Sequence, residues 1–541
     1  MSTPFTDAIR TASQAHVKPE GKKFSYGTAG FRMKAELLES VIFRVGLLAA
    51  IRSRKLGGKT IGVMITASHN PPEDNGVKLV DPMGEMLEGS WEKYGTQLAN
   101  AETEDDLVEA FAQICEEQKI NNETAANVVY ARDTRPSGPL LVRALESGLS
   151  AVGANSVDYN ILTTPQLHYI VRCLNSDGLY GTPSEAGYYE KLATAFIKLM
   201  ENKAALGPVT VDCANGVGGP SLRKLAEYIP KEVLEFNIVN DDVDSPAKLN
   251  HQCGADFVKT QQKLPPGLEV TPLGRYASLD GDADRIVYYF TAQDGTFHLL
   301  DGDKIASLAA SFLGDLAKAA GLGNIKVGVV QTAYANGAST AFIEKSLRLP
   351  VSVTATGVKH LHHEAATKYD IGVYFEANGH GTVLFNSNCL YLIQKGHEPK
   401  SPAEATALEY LRSLTDLINQ AVGDALSDLL FVEVALAHKS WSVNEWSGLY
   451  TDLPNRLVRV EVEDRTIFQT TDAERKLISP PGIQELIDAC VGKYKQGRSF
   501  ARASGTEDAV RVYAEAASKG EADILAYKVA EVVAAARMPS S

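Results

Sequence analysis

The sequence predicts an α/β protein in which three sheet-containing blocks precede a smaller α+β module. Strand-like apolar runs alternate with helical patterns up to about residue 435, which is typical of βαβ units with mixed sheets. The run at 457–462 instead alternates apolar and polar residues, as a half-exposed antiparallel strand does. A chain of 541 residues is long enough for about three to four domains.

The elements of the first three blocks follow one another as short strands and longer helices. Apolar runs predict strands at 61–65, 127–131, 209–212, 276–279, 325–330 and 371–375. Helical patterns cover 139–151, 188–204 and 304–320, and the polar stretch 102–122 predicts a solvated helix or an insertion. A helix at 521–537 closes the last module. We place the domains at 1–185, 186–300, 301–435 and 436–541.

Composition excludes several classes of partner. The net charge of −14 disfavours nucleic acid and anionic membrane as main partners, although a local arginine cluster can still bind a small anion. The six cysteines are scattered without a C-x-x-C pair, as in a reduced cytosolic protein. The first seven residues show no secretory signal, and no apolar run approaches a membrane span. We expect a cytoplasmic protein.

Ser68 lies where the apolar run at 61–65 ends, in the sequence Thr-Ala-Ser-His-Asn-Pro-Pro. The two prolines cannot donate ladder hydrogen bonds and restrict the residues before them, so the turn has few conformations. The serine hydroxyl is thus predicted on a rigid turn that a substrate could reach. A turn that only satisfies its own backbone is the alternative.

Asp280, Asp282 and Asp284 alternate with small residues after the predicted strand at 276–279. Three carboxylates so spaced can wrap one hard cation and leave coordination positions open, which suits Mg²⁺ beside a phosphate. An EF-hand is excluded, because Arg285 and Thr291 stand where that loop needs Gly and Glu. A solvated acidic turn is the alternative.

Two further loops carry polar groups. Glu376, Asn378 and His380 follow the strand at 371–375 and offer donors and acceptors for sugar hydroxyls, although a plain glycine-rich turn would also fit. The segment from Arg502 to Arg511 combines arginines with hydroxyls and glycine, which is typical of an anion site; a helix cap is the alternative.

These four segments, in this order, resemble the α-D-phosphohexomutase superfamily. The resemblance runs from 26–32 to 511–513 and implies four domains around a central cleft, three related mixed-sheet α/β domains and a C-terminal α+β phosphate-binding domain. Within the superfamily, Ala377 and Asn378 of the sugar loop resemble the members that act on N-acetylglucosamine (GlcNAc) phosphates. The implied reaction interconverts GlcNAc-6-phosphate and GlcNAc-1-phosphate through a phosphoserine and a 1,6-bisphosphate, feeding UDP-GlcNAc synthesis.

The resemblance also implies residue roles. Ser68 would carry the phosphoryl group and complete Mg²⁺ coordination by Asp280, Asp282 and Asp284. Four residues are the candidates for proton transfer and charge stabilisation: His69, Lys78, Arg32 and Lys359. The sugar would be held by Glu376, Ala377, Asn378 and His380. The distal phosphate would be held by Arg502, Ala503, Ser504, Gly505, Thr506 and Arg511.

Three other functions compete with this one. A phosphoglucomutase or phosphomannomutase of the same superfamily is the nearest. A serine hydrolase would need the G-x-S-x-G elbow, and Thr66 and Asn70 occupy those glycine positions. A non-catalytic sugar-phosphate-binding protein would have no use for a nucleophile and three metal carboxylates. We expect a small sugar phosphate as partner, a hexose 1,6-bisphosphate as activator, and a monomer or weak dimer.

Overall fold

The structure, a computed structural model, describes residues 4–504 and 508–536. The helices are α1 Thr6–Ser13, α2 Glu39–Lys55, α3 Glu92–Ala99, α4 Glu104–Glu117, α5 Gly138–Ala151, α6 Thr164–Asn175, α7 Glu185–Met200, α8 Gly218–Tyr228, α9 Gly254–Gln261, α10 Gly302–Ala319, α11 Gly337–Ala341, α12 Val358–Lys368, α13 Ser387–Tyr391, α14 Pro402–Leu417, α15 Ala425–Lys439, α16 Val443–Ser447, α17 Ile483–Val491 and α18 Lys519–Ala535.

The strands are β1 Phe31–Lys34, β2 Thr60–Ile65, β3 Asp74–Val80, β4 Asn127–Arg132, β5 Asn155–Ile161, β6 Val209–Asp212, β7 Phe236–Val239, β8 Arg275–Leu279, β9 Ile286–Thr291, β10 Phe297–Leu300, β11 Val327–Thr332, β12 Val351–Thr354, β13 Ile371–Phe375, β14 Gly381–Phe385, β15 Asn455–Glu461, β16 Gln469–Thr471, β17 Lys476–Ser479, β18 Arg498–Ala503 and β19 Ala509–Glu515. The predicted strands and helices named above are confirmed to within a few residues.

Three mixed sheets share one strand pattern, in the orders β1-β3-β2-β4-β5, β10-β9-β8-β6-β7 and β12-β11-β13-β14. In each, parallel strands meet an antiparallel neighbour: β2 pairs with β3, β8 with β9, and β13 with β14. The fourth sheet, β15-β19-β18, is wholly antiparallel. The predicted α/β class with an α+β C-terminal module is confirmed.

The four candidate loops occupy equivalent places in these sheets. Each connects two adjacent antiparallel strands: the serine turn joins β2 to β3, the acidic loop β8 to β9, the sugar loop β13 to β14, and the arginine loop β18 to β19. A hairpin connection holds its end residues at a fixed separation through the last ladder pairs. Each candidate loop is therefore anchored at both ends by its own sheet.

The chain divides into two compact units. The first comprises Met1–Leu299 with Arg412–Ser440, and the second comprises Leu300–Leu411 with Trp441–Ser541. Residues 412–435, which the sequence assigns to the end of the third block, thus lie with the first unit. Helix α15 is buried along most of its length, and Glu433 on it pairs with Arg275 Nε at 2.9 Å. Because α15 is buried all around the helix, its sequence does not indicate which sheet it packs against.

Helix α4 differs from the prediction for 102–122. Its N-terminus carries the predicted polar character, with a capping box between Thr103 and Asp106. Its other face is buried, however, and Leu107, Phe111 and Ile114 belong to the core of the first unit. The segment is an amphipathic core helix, since its apolar residues recur at helical spacing within the acidic run.

Among the described residues, none of the helices is long and apolar enough to cross a membrane.

The packing of α2 against α5 depends on two glycines. A Cβ on Gly148 would overlap the carbonyl oxygen of Phe43, and a Cβ on Gly46 would lie 2.8 Å from the carbonyl oxygen of Leu145. Both atoms are backbone and cannot rotate away. The two helices therefore approach each other through bare backbone at this crossing.

We expect Gly148→Ala to lower the free energy of unfolding by about 2 kcal/mol or more, because the added methyl group forces the helices apart. Urea denaturation checks this. Gly520→Ala in α18 is the matched control, since no atom lies within 4 Å of the position that its Cβ would take; it should leave stability unchanged or raise it by up to about 1 kcal/mol. Equal effects of the two substitutions would contradict the close approach.

Candidate active site

Ser68 occupies a strained position in the turn after β2. Its φ is 51°, in the left-handed region that a residue with a side chain rarely adopts. The backbone N–H of Ser68 donates to Thr66 Oγ1 at 3.0 Å, and that hydroxyl donates to Asp133 Oδ2 at 2.7 Å. The prediction of an accessible hydroxyl differs from the structure, because Ser68 is only 1% exposed. The hydroxyl faces the acidic loop instead.

Arg135 stabilises the serine turn through hydrogen bonds to its backbone. Its side chain is fully buried and donates through Nε to Asp133 Oδ2 at 3.0 Å. Its two terminal nitrogens donate to four backbone carbonyls of the turn, at 2.5–3.0 Å: those of Ser68, Asn70, Pro71 and Asp74. One guanidinium thus satisfies most of the carbonyl groups that a turn leaves without ladder partners. The Asp133–Arg135 pair fixes the turn's path.

The acidic loop places three carboxylates together. Asp280, Asp282 and Asp284 are buried, and their ligand oxygens lie within 4.8 Å of one another. Ser68 Oγ donates to Asp280 Oδ2 at 2.6 Å. Burial, followed by the charges of Asp284 and Asp282, raises the pKa of Asp280 well above its ordinary value. Clustered buried carboxylates of this kind require positive charge nearby.

Cationic side chains provide part of that charge. Lys78 Nζ lies 3.3 Å from Asp284 Oδ2 and 3.5 Å from Asp282 Oδ2. Arg285 Nε lies 3.8 Å from Asp280 Oδ2. Arg32 donates to Asn70 Oδ1 at 3.4 Å, and burial, then Arg285, lowers its pKa. The structure thus brings the predicted Arg32 and Lys78 to the same buried cluster as Ser68.

His69 also lies in this cluster. Burial is the main reason that its pKa falls to about 2, and the charges of Arg285 and Arg32 act in the same direction. The imidazole is therefore neutral at neutral pH in this state. It contributes a polar ring beside Ser68 without adding to the positive charge.

The acidic loop is closely supported from below. A Cβ on Gly216 would collide with the backbone of Gly281, and a Cβ on Gly281 would lie 2.6 Å from the carbonyl oxygen of Ser68. Asn250 Nδ2 donates to the carbonyls of Ser68 and Asn70 at 2.9 and 3.1 Å. The glycine-rich run 215–219, for which the sequence supports no phosphate role, thus serves close packing beneath the carboxylates.

The second unit contains the predicted sugar loop. The loop closes on itself: the N–H of Glu376 donates to the carbonyl of His380 at 2.9 Å, and the N–H of His380 donates to Asn378 Oδ1 at 3.0 Å. Glu376 Oε1 accepts from the N–H of Gly357 at 3.3 Å, two residues before Lys359. The carboxylate, Ala377 and Asn378 are half-buried, and His380 is buried. The structure thus connects the sugar loop to the segment that carries Lys359.

The predicted phosphate segment lies on the β18–β19 hairpin of the same unit. Arg502 and Arg511 are opposite each other in the register, and the N–H of Ser504 donates to the carbonyl of Ala509 at 2.8 Å. Ala503 ends β18. Two predicted residues of this loop, Gly505 and Thr506, lie outside the described residues.

Comparison with known proteins decides the family. The models for phosphoacetylglucosamine mutase AMG1 domains II and III match residues 182–287 and 301–441. Models for phosphoglucomutase/phosphomannomutase match residues 46–106 and 88–208 (alpha/beta/alpha domain I) and 457–532 (C-terminal domain). The phosphoacetylglucosamine mutase of Sus scrofa is 52% identical over 531 residues, which cover 97% of both chains. The chain belongs to the phosphoacetylglucosamine mutase family.

Solved structures agree with this family. The Aspergillus fumigatus N-acetylphosphoglucosamine mutase, in complex with GlcNAc-6P and magnesium, is 59% identical, with a TM-score of 0.95 and coverage of 99% of both chains. A variant of that protein in complex with glucose 1,6-bisphosphate also has a TM-score of 0.95 and 59% identity, over 98% of this chain and 99% of that one. The superfamily resemblance found in the sequence is confirmed.

Sequence reasoning missed several residues around Ser68 in this family member. Arg135 belongs to the run Arg-Asp-Thr-Arg, which begins at the last residue of β4. Charged residues at the end of a strand are the pattern that could have identified it. Thr164 Oγ1, which donates to Asp282 Oδ2 at 2.6 Å, follows a helix cap that only the fold brings to the acidic loop. Asn250 lies in an irregular segment with no comparable signal.

We expect Arg135→Met to destabilise the first unit by about 3–5 kcal/mol, because it leaves Asp133 as a buried, unpaired charge and the turn carbonyls without donors. Thermal unfolding monitored by circular dichroism checks this. Arg143→Met is the control, since Arg143 lies exposed on α5, and it should shift the Tm by little. An Arg135 variant as stable as wild type would show that the turn holds its path without the clamp.

Proposed function

We propose that this chain is a phosphoacetylglucosamine mutase that interconverts GlcNAc-6-phosphate and GlcNAc-1-phosphate. One observation carries the proposal: the Ser68 hydroxyl lies 2.6 Å from a carboxylate of a buried three-aspartate cluster, with Lys78 beside that cluster. A nucleophile next to a hard-cation site is the arrangement that phosphoryl transfer requires. The family and the ligands named for the Aspergillus fumigatus structures support the same substrate class.

The acidic loop fits Mg²⁺. Its donors are carboxylate oxygens, which Mg²⁺ prefers, and Asp282 Oδ1 is buried without a hydrogen-bond donor from any described residue. We assign Asp280, Asp282 and Asp284 to the ion, with Ser68 contributing an oxygen of its phosphate. When bound, Mg²⁺ would neutralise charge on the phosphoryl oxygens.

Ser68 is the phosphoryl carrier in the proposed cycle. The free sugar hydroxyl attacks the phosphorus of phospho-Ser68 and gives its proton to a base of the site, while the bond from phosphorus to Oγ breaks and Oγ takes up a proton, leaving the 1,6-bisphosphate. The bisphosphate then reorients. Ser68 Oγ gives up its proton and attacks the other phosphoryl group, and the sugar oxygen that leaves takes up a proton. Lys78, Arg32, His69 and Lys359 are the proposed residues for charge stabilisation and proton transfer. The burial of Ser68 supports exclusion of water, which would hydrolyse the phosphoserine.

The second unit supplies the proposed recognition of sugar and distal phosphate. Glu376, Asn378 and His380 offer acceptors and donors for sugar hydroxyls, with Ala377 between them. Arg502 and Arg511 supply the positive charge, and Ala503, Ser504, Gly505 and Thr506 complete the loop that grips the phosphate that does not react.

Free cysteine thiols are compatible with the cytoplasm, where we place this protein as a monomer or weak dimer.

We expect one phosphoryl group on the wild-type protein after exposure to glucose 1,6-bisphosphate, located at Ser68 by peptide mass spectrometry. Ser68→Ala should carry none and should lower kcat by about 10⁴-fold or more, because the transferable group has no carrier. Wild type should also show a higher kcat/KM for GlcNAc-6-phosphate than for glucose 6-phosphate.

Ser156→Ala is the control, because Ser156 is exposed on β5; it should keep both the label and the activity. Full mutase activity in Ser68→Ala would refute the carrier role. Equal kcat/KM values for the two sugars would refute the substrate assignment and favour a phosphoglucomutase.

We expect Mg²⁺ to raise the Tm of the metal-free protein, since an ion that binds only the folded state at 100 times its Kd adds about 2.7 kcal/mol. Asp282→Asn should remove most of this shift, and it should raise the Tm without metal because it relieves repulsion between carboxylates. Asp294→Asn, in an exposed turn, should behave like wild type. An unchanged Mg²⁺ shift in Asp282→Asn would place the ion elsewhere.

A further inference from the structure

The β16–β17 hairpin of the second unit ends in a strained turn. Three successive residues, Asp472, Ala473 and Glu474, have φ values of 52°, 54° and 67°. Residues with side chains rarely enter this region, and three in a row must be held by their surroundings. The side chain of Asp472 accepts from Arg475 at 2.6 Å within the turn. The carboxylate of Glu474 has partners outside the turn.

Glu474 connects two segments that are distant in sequence. Its Oε2 accepts from the N–H of Thr356 at 2.9 Å and from Thr356 Oγ1 at 2.5 Å. Its Oε1 lies 3.3 Å from Arg502 Nε. The side chains of Glu474 and Arg502 are 18% and 22% exposed, so water screens the pair only partly. One carboxylate thus contacts both Thr356, two residues before α12, and Arg502 near the end of β18.

Both segments belong to the proposed binding machinery. Gly357, next to Thr356, donates its N–H to Glu376 of the sugar loop at 3.3 Å, and Lys359 follows two residues later. Arg502 begins the loop proposed to hold the distal phosphate. A shift of the hairpin tip would therefore move the sugar side and the phosphate side of this unit together.

Glu474 contacts Arg502 at a position that still allows the guanidinium to bind an anion. Glu474 lies at Nε, whereas the terminal edge of a guanidinium, with its two Nη groups, is the fork that binds an oxyanion bidentately. The negative charge beside Arg502 Nε restricts where the guanidinium lies and so reduces the freedom lost when the anion binds.

We propose that Glu474 is a positioning residue for sugar-phosphate binding, which orients Arg502 and locks the Thr356 turn to the sugar loop. This inference rests on the proposed function. Glu474 itself touches no reacting atom, so its removal affects binding of the phosphorylated sugar more than the transfer step.

Glu474→Gln tests the proposal, because it keeps the size and an acceptor but removes the charge that orients Arg502. We expect KM for GlcNAc-6-phosphate to rise at least fivefold while kcat stays within about twofold. In the Ser68→Ala background, where turnover is blocked, calorimetry should show the same rise in Kd for GlcNAc-6-phosphate. Glu463→Gln, the same chemical change at an exposed residue outside this hairpin, is the matched control and should leave both values unchanged.

A second variant separates positioning from folding. Thr356→Val removes the hydroxyl donor, and we expect it to raise KM in wild type but to add little in the Glu474→Gln background, because both act through one contact. Fully additive effects would overturn the proposal. If Glu474→Gln does not fold, Glu474→Asp, which keeps the charge on a shorter side chain, should raise KM above that of wild type, and an unchanged KM would overturn the proposal.

The outcomes separate this proposal from the mutase activity. Wild type that fails to convert GlcNAc-6-phosphate would refute the proposed function. Wild-type turnover with an unchanged KM in Glu474→Gln would overturn the positioning role alone. A lowered KM would also overturn it, since Glu474 would then compete with the phosphate for Arg502. A loss confined to kcat would do the same.

Discussion

The burial of three carboxylates at one point is the constraint on which the centre of the first unit depends. Asp280, Asp282 and Asp284 repel one another in a region from which water is excluded, and this arrangement is stable only with positive charge beside it. Lys78 and Arg285 approach within 4 Å of these oxygens. The cation-binding capacity of the loop follows directly, because the repulsion that burial creates is relieved by an ion of the right charge.

The same strand–loop–strand connection recurs in four sheets and holds a chemically different loop in each. In each of these sheets the loop connects one strand to an adjacent antiparallel strand, so both ends are fixed by ladder hydrogen bonds. The interior of the loop can then hold strained backbone: φ is 51° at Ser68 and 58° at Ala283. Strain of this kind persists only where the surroundings determine the conformation.

The sequence predicts the parts of this site that lie on strand ends and little of what joins them. Ser68 and the three aspartates follow apolar strands within short stretches, so local pattern and residue chemistry identify them. The environment of the Ser68 hydroxyl could not be predicted, because its hydrogen-bond partner Asp280 is 212 residues away. Arg135 and Glu474 were missed for the same reason: their roles consist of contacts with distant backbone and side chains, and no local periodicity encodes such contacts.

The charge balance around Ser68 supports the proposed pairing of a metal ion and a phosphoryl group there. Three carboxylates face Lys78, Arg285 and Arg32, and each of these side chains carries one formal positive charge. These cations offset part of the carboxylate charge before any phosphate is present. A phosphoryl group on Ser68 adds up to two negative charges in a buried position, which the existing cations cannot offset. A divalent cation restores the balance, so phosphorylation of Ser68 and ion binding should stabilise each other.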